Sequence, residues 1–339
     1  MWFDLDEKKT WWHSLAKYFL TLGPIPEHIA FIMDGNRRYA RRQQYLSFAE
    51  GHRKGFDKLT KVMQWCREFG VKEVTVYALS LENFNRSATE IDDLLTLFEH
   101  KLTLLLDESL VCFCSCHKKK SLKIFAIDNC IFFAESIISL VHCKEISKDK
   151  LIKNGIRIQF FGNLEHLPLK LRQHIAKIEL LTREHTGGRV NVCIAYTAQD
   201  EIKRAFVTIA HGVQKGLLTA TDINECLISR CLDSRFSNDP DLLIRTSGET
   251  RLRKRNQITS FQCSKCYIYF DEVLWPNFDY WNLCKAIYFY QQSQLPLKQL
   301  NEKCLAEQKS ADNENVSEFL HWIEEERLES LRQMCEAIC

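Results

Sequence analysis

Glycine and proline are scarce, 12 and 6 in 339 residues. That excludes a collagen-like or low-complexity polymer and leaves a chain able to bury a core as one large domain or two ordinary ones. An excess of charge of one sign is missing too. Lys and Arg total 46 against 44 Asp and Glu, a formal net charge of +2. No overall field draws a polyanion, and no nucleic acid is expected as a partner. Long apolar runs are absent. Residues 122–143 (LKIFAIDNCIFFAESIISLVHC) come nearest, but Asp128 and Glu135 interrupt them, and each is costly at mid-bilayer. The first nine residues, MWFDLDEKK, lack a basic segment followed by an apolar one, so no secretory signal is expected. No repeat unit is visible.

Cysteine is not scarce. There are 15, an odd number, and without a secretory signal they read as reduced thiols of a cytosol-facing protein. Five (Cys112, Cys114, Cys116, Cys130 and Cys143) lie in residues 109–149, beside Lys118-Lys119-Lys120. The spacing Cys-x-Cys-x-Cys-His departs from the paired Cys-x₂₋₄-Cys units of structural zinc. Cys263 and Cys266 form a lone Cys-x₂-Cys without a second pair. No zinc site is expected from either.

Five short apolar runs, 28–33, 73–79, 156–161, 190–195 and 241–245, alternate with helix-period stretches at 50–69, 90–106, 168–185 and 199–216. This β–α alternation predicts an α/β fold with a mainly parallel central sheet flanked by helices. Ligands of such sheets bind beyond the carboxyl ends of the strands. Residues 11–22 place Trp11, Trp12, Leu15, Tyr18, Phe19 and Leu22 at helical spacing. Such a helix suits either a membrane interface or docking against the core or a partner. The division expected is an N-terminal amphipathic helix at 1–25, a main domain at 26–295 and a charged helical tail at 296–339.

Polar groups crowd the strand ends. After the first run come Asp34-Gly35-Asn36-Arg37-Arg38, then Arg41, Arg42, His52 and Arg53. One carboxylate for a hard cation, a glycine permitting close backbone approach and guanidinium groups gripping phosphate suit a Mg²⁺-diphosphate. A tight turn into a solvated basic helix is the plainer alternative. Ser80-Leu81-Glu82-Asn83 and Arg86 follow the second run, where a helix cap is equally compatible. Arg245-Thr246-Ser247-Gly248 and Arg251 follow the fifth, with a turn able to aim backbone N–H groups at an anion. Three arginine-bearing strand ends in one sheet favour a binding site over a solvated surface.

The blocks His28–Ala40, Glu50-Gly51-His52, Tyr77–Phe84, Asn191–Tyr196, Asp241–Glu249 and Val273-Leu274-Trp275-Pro276 resemble the signatures of the cis-prenyltransferases, the undecaprenyl diphosphate synthase family, in the family's order. The likeness is greatest to animal dehydrodolichyl diphosphate synthases and spans residues 12–108 and 150–295. It implies one α/β domain enclosing a hydrophobic tunnel. The implied reaction extends farnesyl diphosphate with isopentenyl diphosphate for dolichol synthesis, with Mg²⁺ as cofactor. Asp34 would organise Mg²⁺ and the allylic diphosphate, with Gly35, Arg37, Arg38 and Arg86 holding that group and Asn36 and His52 lining its site. Ser80 and Asn83 would lie near the reacting carbons, with Asn36, Asn83 and Ser80 joining Asp34 as the catalytic set. Arg245, Arg251 and Arg253 would bind isopentenyl diphosphate. By the same resemblance, the missing C-terminal Arg-x-Gly motif implies a Nogo-B receptor type partner subunit on the cytosolic face of the endoplasmic reticulum, with the chain peripheral to the membrane.

Two stretches depart from the family. Residues 109–149 exceed the usual connection and are expected to loop out. After Arg251-Leu252, Arg253 stands where the family carries a serine, and Arg253-Lys254-Arg255-Asn256-Gln257 replaces the start of an apolar strand. A catalytically impaired isoform or regulatory subunit of the same complex is therefore the alternative reading.

Overall fold

The computed structural model describes residues 11–117, 155–250, 266–294 and 314–336. The first ten residues, most of the 109–149 stretch, and 251–265 with Arg251, Arg253 and Cys263 lie outside the described residues. So do 296–313 of the tail.

Six strands form one sheet: β1 His28–Ile32, β2 Glu73–Tyr77, β3 Ile156–Phe161, β4 Gly188–Cys193, β5 Leu242–Arg245 and β6 Tyr267–Phe270. Their order is β3-β4-β2-β1-β5-β6, and every pairing is parallel. The five expected strands are present with ends shifted by up to two residues; β6 is additional. The helices are α1 Trp11–Thr21, α2 Asn36–Arg42, α3 Phe48–Phe69, α4 Ala88–His117, α5 Leu169–Thr182, α6 Ala198–Gln214, α7 Glu225–Cys231, α8 Tyr280–Gln292 and α9 Glu314–Glu336.

β1 is buried along its whole length, as a central parallel strand covered on both faces must be. On one face Phe31, Val62, Trp65, Trp275 and Leu283 build a core under α3 and α8. On the other, Leu79, Leu94, Phe160, Leu171 and Ile175 build a second core under α4 and α5. β3 is an edge, and α5 caps it: the Ile158 and Phe160 amides donate to Thr182 Oγ1 and Glu179 Oε1 at 3.0 and 2.6 Å. At the amino ends of the strands His28 is fully engaged, its Nδ1 with the Asn238 carbonyl at 2.7 Å and its Nε2 with Thr75 Oγ1 at 2.8 Å.

One expectation changes and two are narrowed. α4 continues without a break to His117, so residues 109–117 prolong a helix instead of looping out; no glycine or proline stops them. The described part of the tail is α9, docked and not merely charged: Phe319, Val316 and Ile323 pack with Ile209, Leu218 and Leu227. Helix α1 turns one side to α8, where the His13 ring lies 4.7 Å from Tyr280 and Gln291 Nε2 donates to the Leu20 carbonyl at 2.7 Å. Its other side stays open, with Trp11 62% and Phe19 61% exposed. Among the described residues no helix is long and apolar enough to cross a membrane.

Candidate active site

β1 leads towards β2 and β5 towards β6, on opposite sides, so the crevice beyond their carboxyl ends is the natural ligand site. A cavity of about 350 Å³ opens there. Asp34, Gly35, Asn36, Arg37, Arg38, His52, Ser80, Asn83 and Arg86 all line it. Nine residues expected from three separate segments are thus brought together.

Each is placed by its element. The Asp34 amide donates to Thr246 Oγ1 at 3.1 Å and its carbonyl accepts from the same hydroxyl at 2.9 Å. This locks the end of β1 to the end of β5. Gly35 is left-handed, φ 107°, and an added Cβ there would come within 2.9 Å of the Leu274 side chain. Glycine is needed twice over. α2 then presses on α3 through two further glycines. A Cβ on Gly51 would lie 2.4 Å from the Asn36 carbonyl oxygen, and one on Gly55 would lie 2.4 Å from Asn36 Oδ1. That Oδ1 is buried without a hydrogen-bond partner among the described residues.

The cations are preorganised. Arg38 Nη2 donates to Ser247 Oγ, and Ser247 itself is held at φ 80°. Arg37 and Arg41 lean over the Phe48 ring at 5.0 and 5.4 Å, within cation–π range. Arg86 donates to Asn83 Oδ1 at 2.5 Å and to Glu90 Oε1 at 3.0 Å. Glu90 also meets Arg37 Nε at 3.3 Å and lies 3.9 Å from His52 Nε2. Burial, reinforced by Arg86, lowers the His52 pKa to about 4, so the imidazole is neutral near pH 7. Ser80 accepts from the Glu82 amide at 3.3 Å, capping a short 3₁₀ turn as well as lining the cavity.

Arg245 stands elsewhere. It is 1% exposed, with Nη2 3.7 Å from Asp34 Oδ2, behind the carboxylate and not among the cavity-lining residues. The expected anion-facing amides of the 246–248 turn are a correction. Thr246, Ser247 and Gly248 donate instead to the carbonyls of Ile32, Val273 and Asp271 at 3.3, 2.8 and 2.8 Å, because the turn is stitched into the sheet. Sequence reasoning missed Glu90, whose signal was its place four residues after Arg86 on a helix start. It also missed Tyr77 and Tyr196, which line the wall.

A Mg²⁺ ion fits this donor set in one way. Among the described residues no three His, Cys, Asp or Glu side chains converge on a point, but Mg²⁺ is commonly held by one or two carboxylates plus substrate phosphates. Asp34, 17% exposed in its side chain at the cavity wall, is the carboxylate to supply.

The family model for putative undecaprenyl diphosphate synthase matches residues 32–130 and 113–296. A dehydrodolichyl diphosphate synthase complex subunit of Mus musculus is 38% identical over 298 residues, covering 88% of this chain and 77% of that one. A tritrans,polycis-undecaprenyl-diphosphate synthase (geranylgeranyl-diphosphate specific) of Methanopyrus kandleri is 34% identical, covering 80% of this chain and 83% of that one. Among solved structures, lavandulyl diphosphate synthase of Lavandula x intermedia in complex with dimethylallyl diphosphate superposes with a TM-score of 0.61 at 26% identity, covering 79% of this chain and 95% of that one. With the parallel sheet, the cationic crevice and these likenesses agreeing, the chain belongs to the undecaprenyl diphosphate synthase family and is a cis-prenyltransferase.

Proposed function

We propose that this chain is the catalytic subunit of a long-chain cis-prenyltransferase that condenses isopentenyl diphosphate onto farnesyl diphosphate, giving dehydrodolichyl diphosphate for dolichol synthesis and protein glycosylation. One observation carries the reading: Asp34, Arg37, Arg38 and Arg86 line one cavity. Leu79 and Leu94 belong both to that lining and to the apolar core under α4. Cationic and apolar side chains that adjoin in this way suit a diphosphate head and a hydrocarbon tail.

In this reading the allylic C–O bond breaks, the isopentenyl alkene forms the new C–C bond, and its C2 carbon gives up a proton. Negative charge grows on the departing diphosphate, and Arg37, Arg38 and Arg86 stabilise it more in the transition state than in the ground state. Mg²⁺ held through Asp34 would supply Lewis-acid neutralisation of the same charge. Neutral His52 and the Asn36 amide hold the diphosphate by hydrogen bonds. By the resemblance Arg251 and Arg253 are assigned to the second diphosphate, whereas Arg245, buried behind Asp34, is placed to hold that carboxylate. A Nogo-B receptor type subunit on the endoplasmic reticulum is the proposed partner, with α1 resting peripherally on the membrane.

The test is incorporation of labelled isopentenyl diphosphate into chloroform-extractable polyprenol, with Mg²⁺, farnesyl diphosphate and the partner subunit present. Asp34→Ala is expected to lose about 100-fold or more in rate, the scale of removing one transition-state stabiliser; wild-type turnover in that variant overturns the assignment. The impaired-isoform reading has its own motive in Arg253 at the family's serine position. No product from the native chain, but product once a serine and an apolar strand are restored at 253–261, selects it.

A further inference from the structure

Beyond β4 the chain turns on Ala195, a non-glycine residue at φ 49°, a conformation that L side chains adopt at a cost. The turn delivers Tyr196 to the cavity wall. Its main chain donates to the Leu79 carbonyl at 3.1 Å and accepts from the Leu81 amide at 3.4 Å, bridging Ser80 in parallel fashion. Its ring meets Tyr77 edge-on with centroids 5.8 Å apart. Its hydroxyl donates to Glu201 Oε2 at 2.6 Å.

Glu201, on α6, is 1% exposed. Its second oxygen accepts from the Asp233 amide at 2.9 Å. Asp233 is in turn gripped by Arg204 at 2.9 and 2.7 Å and by the Gly162 amide at 2.9 Å. Glu201 therefore faces Tyr196 and Cys193 from the end of β4, Asp233 from the loop after α7, and Arg204 from its own helix. Arg327 of α9 adds its charge at Asp233. Burial, and then Asp233, push the Glu201 carboxyl up to about 7. Tyr196 is pushed upward by burial and stays a protonated donor. A buried carboxylate is costly where an apolar side chain would fill the same space. This one holds the phenol of the cavity wall with one oxygen and the Asp233 amide with the other.

We propose that Glu201 is a positioning residue for the condensation: through the Tyr196 hydroxyl it fixes the wall segment that carries Ser80, Asn83 and Arg86. The proposal rests on the prenyl-transfer reading above. Two variants test it in the full chain with its partner subunit. Tyr196→Phe removes the hydroxyl and keeps the ring packed on Tyr77. Glu201→Gln keeps both contacts but turns the phenol from donor to acceptor. Each is expected to lower kcat about tenfold, the worth of one charge-assisted hydrogen bond, with KM for both diphosphates within about a factor of two.

In the wild type kcat should fall as pH drops through about 7, where Glu201 gains its proton; that limb should vanish in Glu201→Gln. Unchanged kcat in both variants, a rise in KM with kcat intact, or an unaltered pH limb in Glu201→Gln overturns the proposal. A second readout needs no turnover. Hydrogen exchange at the Leu81, Asn83 and Arg86 amides, which bond to Tyr196, Ser80 and Asn83 carbonyls, should quicken about tenfold in Tyr196→Phe. If the wild type makes no product, the prenyl-transfer reading fails by itself; unaltered exchange in the variant then overturns this proposal separately.

Discussion

Arg37, Arg86 and His52 converge on one carboxylate, Glu90, at 3.3, 3.0 and 3.9 Å. An arriving diphosphate brings the negative charge that Glu90 supplies only in part, beside His52 as well as the two arginines. Burial, Arg86 and Arg37 hold that imidazole at about 4, with Glu90 opposing them. A neighbouring anion favours the charged imidazole, so its pKa rises on binding. Calorimetry of diphosphate binding at pH 5.5, in buffers of different ionisation enthalpy, should show proton uptake that disappears in His52→Asn. In the ligand-free protein the depressed imidazole destabilises at low pH: the unfolded chain takes up the proton below about 6.5 and the native chain resists until about 4. Glu201 acts with the opposite sign, since its raised carboxyl binds the proton more tightly when folded, and stability falls as pH climbs from about 4.5 to 7. Glu201→Gln should therefore melt higher than wild type at pH 8 while turning over more slowly. A residue kept only for structure would not separate those two readouts. Most cavity-lining residues were legible because they sit immediately after strands, where the sheet must present them. Glu201 was not, because it is defined by what it faces across the fold; Glu90 showed only its place four residues after Arg86, and its contacts with Arg37 and His52 come from the fold.

At the scale of elements, the α2–α3 contact is set by glycine more than by shape. A methyl on Gly51 meets backbone, the Asn36 carbonyl at 2.4 Å, and the Ala40 side chain at 3.0 Å, so the two helices must separate. Gly51→Ala should cost about 2 kcal/mol, as overpacking in a tight contact does, seen as a lower melting temperature. Helix α9 is a comparable case at the other end of the chain. Gly212 on α6 accepts the Phe319 ring, which would lie 2.3 Å from an added Cβ, and Arg327 binds Glu179 at 3.1 Å through both carboxylate oxygens. Phe319→Ala should remove about 3–5 kcal/mol of docking, and the α9 amides should then exchange as freely as an exposed helix while β1 stays protected. The five expected strands were readable as short β-branched runs bounded by polar residues. β6 was not: Tyr267–Phe270 is an edge strand with only Tyr269 buried, and the basic residues before it disguised its start. α9 was expected as a helix but not as a docked one: Glu324-Glu325-Glu326 marked the tail as charged, although Val316, Phe319 and Ile323 recur at helical spacing.

For the whole molecule, the surface left uncovered bears on where the enzyme works. α1 is tied to α8 by His13, Leu20 and Gln291, and that attachment fixes which side of α1 looks outward. Trp11, Trp12, Leu15, Tyr18, Phe19 and Leu22 all remain exposed, although burying such side chains is favourable. Lys17 is the one formally charged residue of the helix, so attraction to anionic headgroups contributes little. Attachment to a bilayer through this face should depend on inserted aromatic area and be insensitive to salt, unlike a polybasic anchor. Co-sedimentation with neutral phosphatidylcholine vesicles measures this directly. Replacing Trp11 and Phe19 together by serine should weaken binding at least about tenfold, since each buried aromatic is worth about 1.5–3 kcal/mol. Turnover of a detergent-soluble assay should be unchanged, because neither residue lines the cavity. Equal sedimentation of variant and wild type would assign the aromatic face to a protein partner instead, and loss of sedimentation at high salt would place the attachment on charge elsewhere in the chain.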